Sequence, residues 1–313
     1  MASELTPVQQ RTLDLLSRTG DPVVFDPAVV DELRADVDAG LAELAGRLPE
    51  SVSPEPAPVI VVTKHDLGEV FTCEAKWAAP DDFAWSAAKA KGQVAHKAVQ
   101  LSIHWRGEVV PITVVDEAIG RLAEDERGLG PWLASLPPGD AADLRGRAVE
   151  HVTKFLECFP PLDPRWRPVT EGSSQYPLGG PIVLRARIDL TLGVPQRGES
   201  RKVIVDLKTG RLMSRHREDL RFYALIETLV RQVPPRLLAS YSLDAAAAET
   251  EEVTVDLLRS ALRRTLDGVQ RIVEIQFEDR PPTRSPGPAC RWCACRASCA
   301  VGQAWLADDR QGG

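Results

Sequence analysis

No stretch of the 313-residue chain comes near the ~20 consecutive apolar residues needed to span a bilayer. The opening MASELTPVQQ also lacks the basic and apolar regions of a secretory signal, so a cytoplasmic location without a membrane partner is expected. Nor is there an excess of positive charge. A net charge of −7 argues against a general nucleic-acid coat protein, although it leaves room for a local basic groove. What is present is the composition of an ordinary globular protein, 43% hydrophobic and 27% charged, long enough for one elaborated domain or two small ones.

The chain opens on a helix signature: Thr6 as N-cap, Pro7 in the first turn and Gln9 as the reciprocal cap. A second helix is expected over Pro27–Arg47, where Val30, Leu33, Val37, Leu41 and Leu44 recur at helical spacing. Two such helices could form a small winged-helix-like module, but nothing specifies a recognition helix, and packing is the favoured role. The proline-rich LPESVSPEPAP then marks a boundary. The organisation read from this is a helical extension over 1–50, a linker over 51–58, a main domain over 59–300 and a tail over 301–313.

Within the main domain a short strand is expected at Val59–Val62, then a helix capped by Thr63 and running to Cys73 and Trp77. Ala87–Trp105 is a helix with Val94, Ala98, Leu101 and Trp105 as its apolar stripe, and His96 lies off it. The run GEVVPITVV (107–115) reads as a strand, Gly128–Pro138 as a loop, and Asp140–Cys158 as a helix burying Leu144, Ala148, Val152 and Phe155. Cys158 is read as a buried structural thiol, and His65, His104, His151 and His216 as structural. Glu171 is expected near the start of a strand, more simply as an exposed residue than as a metal ligand.

Leu184–Leu192 and Val203–Lys208 are rich in β-formers, and the turn-forming GVPQRGES between them is too short for a parallel crossover. An antiparallel hairpin follows, and it brings Asp189 beside Asp206. Asp206 and Lys208 share one strand face while Leu207 points away. Two close carboxylates repel unless a cation lies between them, and oxygen donors of this kind suit Mg²⁺ or Mn²⁺. Strand-end Asp and Lys residues are more often solvated rim residues, so the pattern carries weight only with its neighbours. A helix around Arg217–Val230 follows, and from Lys208 to Arg221 five Lys or Arg face two acidic residues. Phosphate attraction and a solvated helix face explain those charges equally well. A strand at Leu237–Leu243 and a long helix at Val255–Ile275 complete the domain.

Six cysteines in a cytoplasmic protein suggest metal ligation rather than disulfides, because four of them crowd into Cys290–Cys299. Local spacing alone reads as a zinc site, yet Cys293 and Cys295 are only one residue apart, which is awkward for a tetrahedron. Without Cys295 the pattern is C-x2-C-x5-C and needs a fourth ligand, for which Cys73 is available; a cubane cluster also takes four thiolates.

The succession Cys73, Gly92 to His96, Ile188-Asp189, Asp206-Leu207-Lys208-Thr209-Gly210, Tyr223 and the trio Cys290, Cys293, Cys299 resembles the RecB-like branch of the PD-(D/E)xK nuclease superfamily. More narrowly, it is similar to the iron–sulfur nucleases of the CRISPR-adaptation type and to the AddB nuclease module. The resemblance implies an α/β restriction-endonuclease-like core, a mixed sheet flanked by helices, with a C-terminal Cys-rich cluster segment. It implies a Mg²⁺- or Mn²⁺-dependent deoxyribonuclease acting on single strands or ends, with His96, Asp189 and Asp206 binding the ion. Lys208 would assist the attacking water, Tyr223 would brace the site or touch DNA, and Cys73, Cys290, Cys293 and Cys299 would hold a 4Fe–4S cluster. The implied setting is DNA repair or recombination. No G-x4-GK(S/T) motif occurs, so any unwinding would come from a separate helicase. The chain departs from the family in three places: Asp219 stands where glutamine is common, Glu74-Ala75 follows Cys73, and Cys295 is additional. The alternative is a DNA-binding or scaffold module on a nuclease fold that does not cut.

Overall fold

A computed structural model of the chain describes residues 4–17, 20–50, 58–80 and 83–311. Most of the linker at 51–58 lies outside them. The first helix, α1 (Pro7–Leu16), carries the expected capping box, with Thr6 accepting from the Gln9 N–H and Gln9 from the Thr6 N–H. Then come α2 (Pro27–Ala45), β1 (Ile60–Val62), α3 (Lys64–Thr72), α4 (Glu74–Trp77) and α5 (Ala87–Ile103). They are followed by α6 (Pro111–Ala123), α7 (Gly130–Ala134), α8 (Pro138–Cys158), β2 (Val169–Tyr176), β3 (Ile182–Leu192) and β4 (Val203–Lys208). The chain ends with α9 (Ser214–Arg231), β5 (Leu237–Ser242), β6 (Ala247–Glu252), α10 (Val255–Phe277) and α11 (Ala300–Gln311). Among the described residues no helix is long and apolar enough to cross a membrane.

Six strands form one mixed sheet. β3 is its axis, with β2 antiparallel along one edge. The other edge is shared: β1 runs parallel to Ile182–Leu184, and β4 runs antiparallel to Leu190–Leu192. Between those two pairings the edge of β3 is open, and Asp189 lies there. β4 continues in parallel to β5 through α9, as a parallel pair requires a long crossover, and β6 closes the far edge. Helices cover both faces. Ile204 and Leu238 pack with α9 and α10, whereas Val203, Val205, Leu207, Ala239 and Tyr241 pack with α5 and α8, the alternation a pleated strand imposes. The N-terminal helices join these cores, with Leu33, Val37, Leu41 and Leu44 of α2 in the first and Leu16 in the second.

Two local expectations are corrected. Residues 107–115 do not form a strand. Pro111 lacks the N–H a strand would use and instead opens α6, whose Val114, Val115 and Ala118 are buried at helical spacing against the second core. The stretch 128–138 is not all loop, since it contains α7. The expected Cys-rich cluster segment is also corrected. Residues 288–297 form two single-turn 3₁₀ helices that lead into α11, and all six cysteines are free thiols. Cys158 is half-buried, its thiol pKa raised by burial.

The β3–β4 turn is closed by Gly193 at φ +82, where a Cβ would stand 2.6 Å from the Arg201 carbonyl oxygen. Gly193→Ala is therefore expected to lower stability by about 2 kcal/mol in urea unfolding. A wild-type midpoint would show that the turn does not fix the hairpin register.

Candidate active site

The register of β2, β3 and β4 builds the site. Thr170 faces Leu190 and Gly172 faces Ile188, so Glu171 of β2 lies opposite Asp189. Leu190 faces Val205, so Asp189 in turn lies opposite Asp206. Three carboxylates form a row across three strands. The ladder between β3 and β4 stops at Leu190, and beyond it the Leu207 N–H donates to Asp189 Oδ2 at 2.8 Å. Glu171 has φ 53, a left-handed conformation costly for a non-glycine residue, and Arg187 Nε donates to it at 2.5 Å.

His96 enters from α5. Gly92, one turn earlier on the same helix face, lets α5 approach the turn after β4, where a Cβ would meet Thr209 Oγ1 at 3.3 Å. His96 Nδ1 then lies 3.5 Å from Asp189 Oδ1. His96, Glu171 and Asp189 each place one donor atom within 4.8 Å of the others, close enough to share one ion. Asp206 is fully buried and is held differently. Its Oδ1 accepts from Lys64 Nζ at 3.0 Å, while Oδ2 is 2.5 Å from Lys208 Nζ but out of hydrogen-bond alignment. Lys208 Nζ is 4.0 Å from Asp219, and Lys64 Nζ is 4.8 Å from the centre of the Tyr223 ring.

These contacts set the protonation states. Burial alone would raise the Asp189 pKa, but His96, Lys64 and the Leu207 N–H bring it down to about 2. Burial works against a charged His96, yet the Asp189 carboxylate raises its pKa overall. Tyr223 stays a phenol because burial pushes its pKa up, and burial raises that of Asp219. His216, buried on α9 near Lys208, is driven down to about 4 by burial and that ammonium.

The structure thus brings together His96, Asp189, Asp206, Lys208 and Tyr223, all chosen from sequence. It adds Glu171, read from sequence as exposed, and Lys64, which drew no notice there. Lys64 follows the Thr63 cap directly, so its position at the end of β1 was the one available signal. A nitrogen and several hard oxygens suit a divalent cation.

The family model of the PD-(D/E)XK nuclease superfamily matches residues 67–300. The chain belongs to the PD-(D/E)XK nuclease superfamily. Its candidate His–Glu–Asp metal site supports, in general terms, a metal-dependent nuclease role. No curated protein matches it. Among solved structures it is similar to SSO0001, at 13% identity and TM-score 0.30, covering 76% of this chain and 93% of that one. It is also similar to a "Putative exonuclease" from Eubacterium rectale, at 13% identity and TM-score 0.34, covering 69% of this chain and 91% of that one.

The narrower placement is corrected. The match is to the superfamily as a whole, with nothing that assigns a RecB-like branch. The iron–sulfur cluster is corrected too. Cys73, Cys290, Cys293, Cys295 and Cys299 line one cavity of about 250 Å³, but no three ligand atoms among them come within 4.8 Å of one another.

Proposed function

We propose that this nuclease-superfamily protein is a Mg²⁺- or Mn²⁺-dependent deoxyribonuclease that hydrolyses phosphodiester bonds in single strands or at DNA ends, in repair or recombination. The observation that carries this reading is the carboxylate row Glu171–Asp189–Asp206, with His96 beside it and Lys208 at its open end. His96, Glu171 and Asp189 would hold the ion, joined by Asp206, whose Oδ2 faces Lys208. When bound, the ion lowers the pKa of water and screens the phosphate. Lys208 is fixed against Asp206 and orients the attacking water, adding a positive charge where the phosphate becomes more negative. The Leu207 N–H holds Asp189 in its ligating rotamer. Tyr223 packs against Lys64 and keeps that second ammonium on Asp206.

End-labelled single- and double-stranded DNA incubated with Mg²⁺ or Mn²⁺, beside Lys208→Ala, tests the proposal. Cleavage by the wild type that falls about 10²- to 10³-fold in the variant is expected. Binding without cleavage under every metal would favour a non-cutting DNA-binding or scaffold module instead.

A further inference from the structure

Away from the carboxylate row, between α1 and the closed end of the β3–β4 hairpin, lies a cavity of about 630 Å³. Val203 lines it and Lys208 ends the same strand, so about 17 Å of β4 separates it from the site. Its charge runs against that of the chain. In a protein of net charge −7, Arg165, Arg167, Arg201 and Arg236 line this cavity, and among the described residues no Asp or Glu does. Three of the four are engaged. Arg165 is paired with Asp163, Arg201 with Glu199, and Arg236 donates to the Leu16 carbonyl. Arg167 is exposed, and its guanidinium forms no hydrogen bond or ion pair among the described residues. Four guanidiniums against Asp163 and Glu199 leave a surplus of two positive charges. That surplus matches a phosphate monoester, which carries about −1.5 to −2 at neutral pH.

The loop before β2 is built to present Arg167. Asp163 caps the single turn Pro164–Trp166, and the Trp166 carbonyl accepts from the Gly193 N–H at 2.5 Å. Arg167 then has φ 47, a left-handed conformation costly for a non-glycine residue. Neighbours in an extended chain face opposite ways, whereas this turn sets Trp166 and Arg167 on one cavity. Trp166 is half-buried, and with Leu13 and Leu16 of α1 it gives the cavity an apolar side next to the open cation.

We propose that this cavity binds a free nucleoside monophosphate, with its phosphate on Arg167 and its base against Trp166. A guanidinium fork matches two phosphate oxygens, and an indole face stacks on any base. The volume falls within the roughly 300–1,000 Å³ of small-molecule sites. α1, which has no residue in the carboxylate row, thereby contributes to a binding site of its own.

Thymidine and adenosine 5′-monophosphate, titrated by calorimetry in EDTA, test this, with thymidine and inorganic phosphate as their separate parts. Each monophosphate should bind about tenfold or more tighter than either part. Arg167→Ala should weaken binding about 10- to 100-fold at an unchanged melting temperature, with Arg167→Lys in between, since an ammonium lacks the fork. Trp166→Leu should weaken it about five- to tenfold. Lys208→Ala should bind as the wild type does, because the carboxylate site lies at the other end of β4. The cavity is no nucleotide site if the wild type binds neither monophosphate, if phosphate alone binds as tightly, if Arg167→Ala has no effect, or if Lys208→Ala weakens binding equally. Cleavage is not read here. A protein that binds both nucleotides through Arg167 but cuts no DNA would refute the nuclease reading alone, and one that cuts without binding them would refute the nucleotide site alone.

Discussion

Asp206→Ala is expected to remove cleavage, by about 10²- to 10⁴-fold, while the protein remains folded. Asp206 is 0% exposed and bears on both ammonium groups of the site, Lys64 at 3.0 Å and Lys208 at 2.5 Å. Its loss leaves two cations without their shared counter-ion, and they will separate into solvent, since both side chains keep a path to water at 27% and 19% exposure. Lys208 would then no longer be aimed at the phosphate. Because both ammonium groups can turn to water once it is gone, the protein should remain folded. Asp206→Asn separates shape from charge: it keeps the packing and removes the anion both lysines follow. If charge is what matters, Asn should be as inactive as Ala, whereas substantial activity in Asn would assign Asp206 a packing role. Cleavage of labelled single strands under Mn²⁺, with Mn²⁺ binding followed by calorimetry, reads both.

How much of this site could be read in the sequence depends on how local each signal is. Asp206, Lys208 and their strand lie in six residues with period-2 alternation, and a short turn dictates the hairpin that adds Asp189. His96 was marked by Gly92 one turn before it, which the structure explains as a close approach to Thr209. Glu171 and Lys64 had no such marker. Their positions depend on β2 and β1 flanking opposite edges of β3, a pairing between segments far apart in the chain. The residues of α6 misled through composition, because β-branched side chains favour strands until burial at 114, 115 and 118 and the proline decide otherwise. β6 was missed for the reverse reason: AAETEE has poor strand formers, and backbone pairing to β5 holds it as a charged edge. The cysteines show the limit of spacing arguments. Their order in the chain suggested one cluster, but the ligand-atom distances required for a shared ion are met at His96, Glu171 and Asp189 instead.

Glu74 offers the largest expected effect on stability. It is 4% exposed at the start of α4, and it accepts from Arg280 Nη1 at 2.9 Å, Arg280 Nη2 at 3.0 Å and the Thr283 N–H at 2.9 Å. The Ala75 N–H donates back to the Thr283 carbonyl at 3.0 Å, so the chain leaving α10 is fastened to the α3–α4 corner. Glu74→Ala removes one member of a buried ionic cluster and is expected to cost about 3 kcal/mol at neutral pH. Hydrogen bonds from Arg280 and Thr283 lower the Glu74 pKa from 4.5 to about 2. A depressed carboxylate contributes stability that is complete above its ordinary pKa and is lost as the pH falls through the folded value. The difference between wild type and Glu74→Ala in urea unfolding should therefore be constant above about pH 5 and shrink towards pH 2. A difference that persisted undiminished at pH 2 would mean that packing of the Glu74 side chain, and not its charge, holds α4 to the chain after α10.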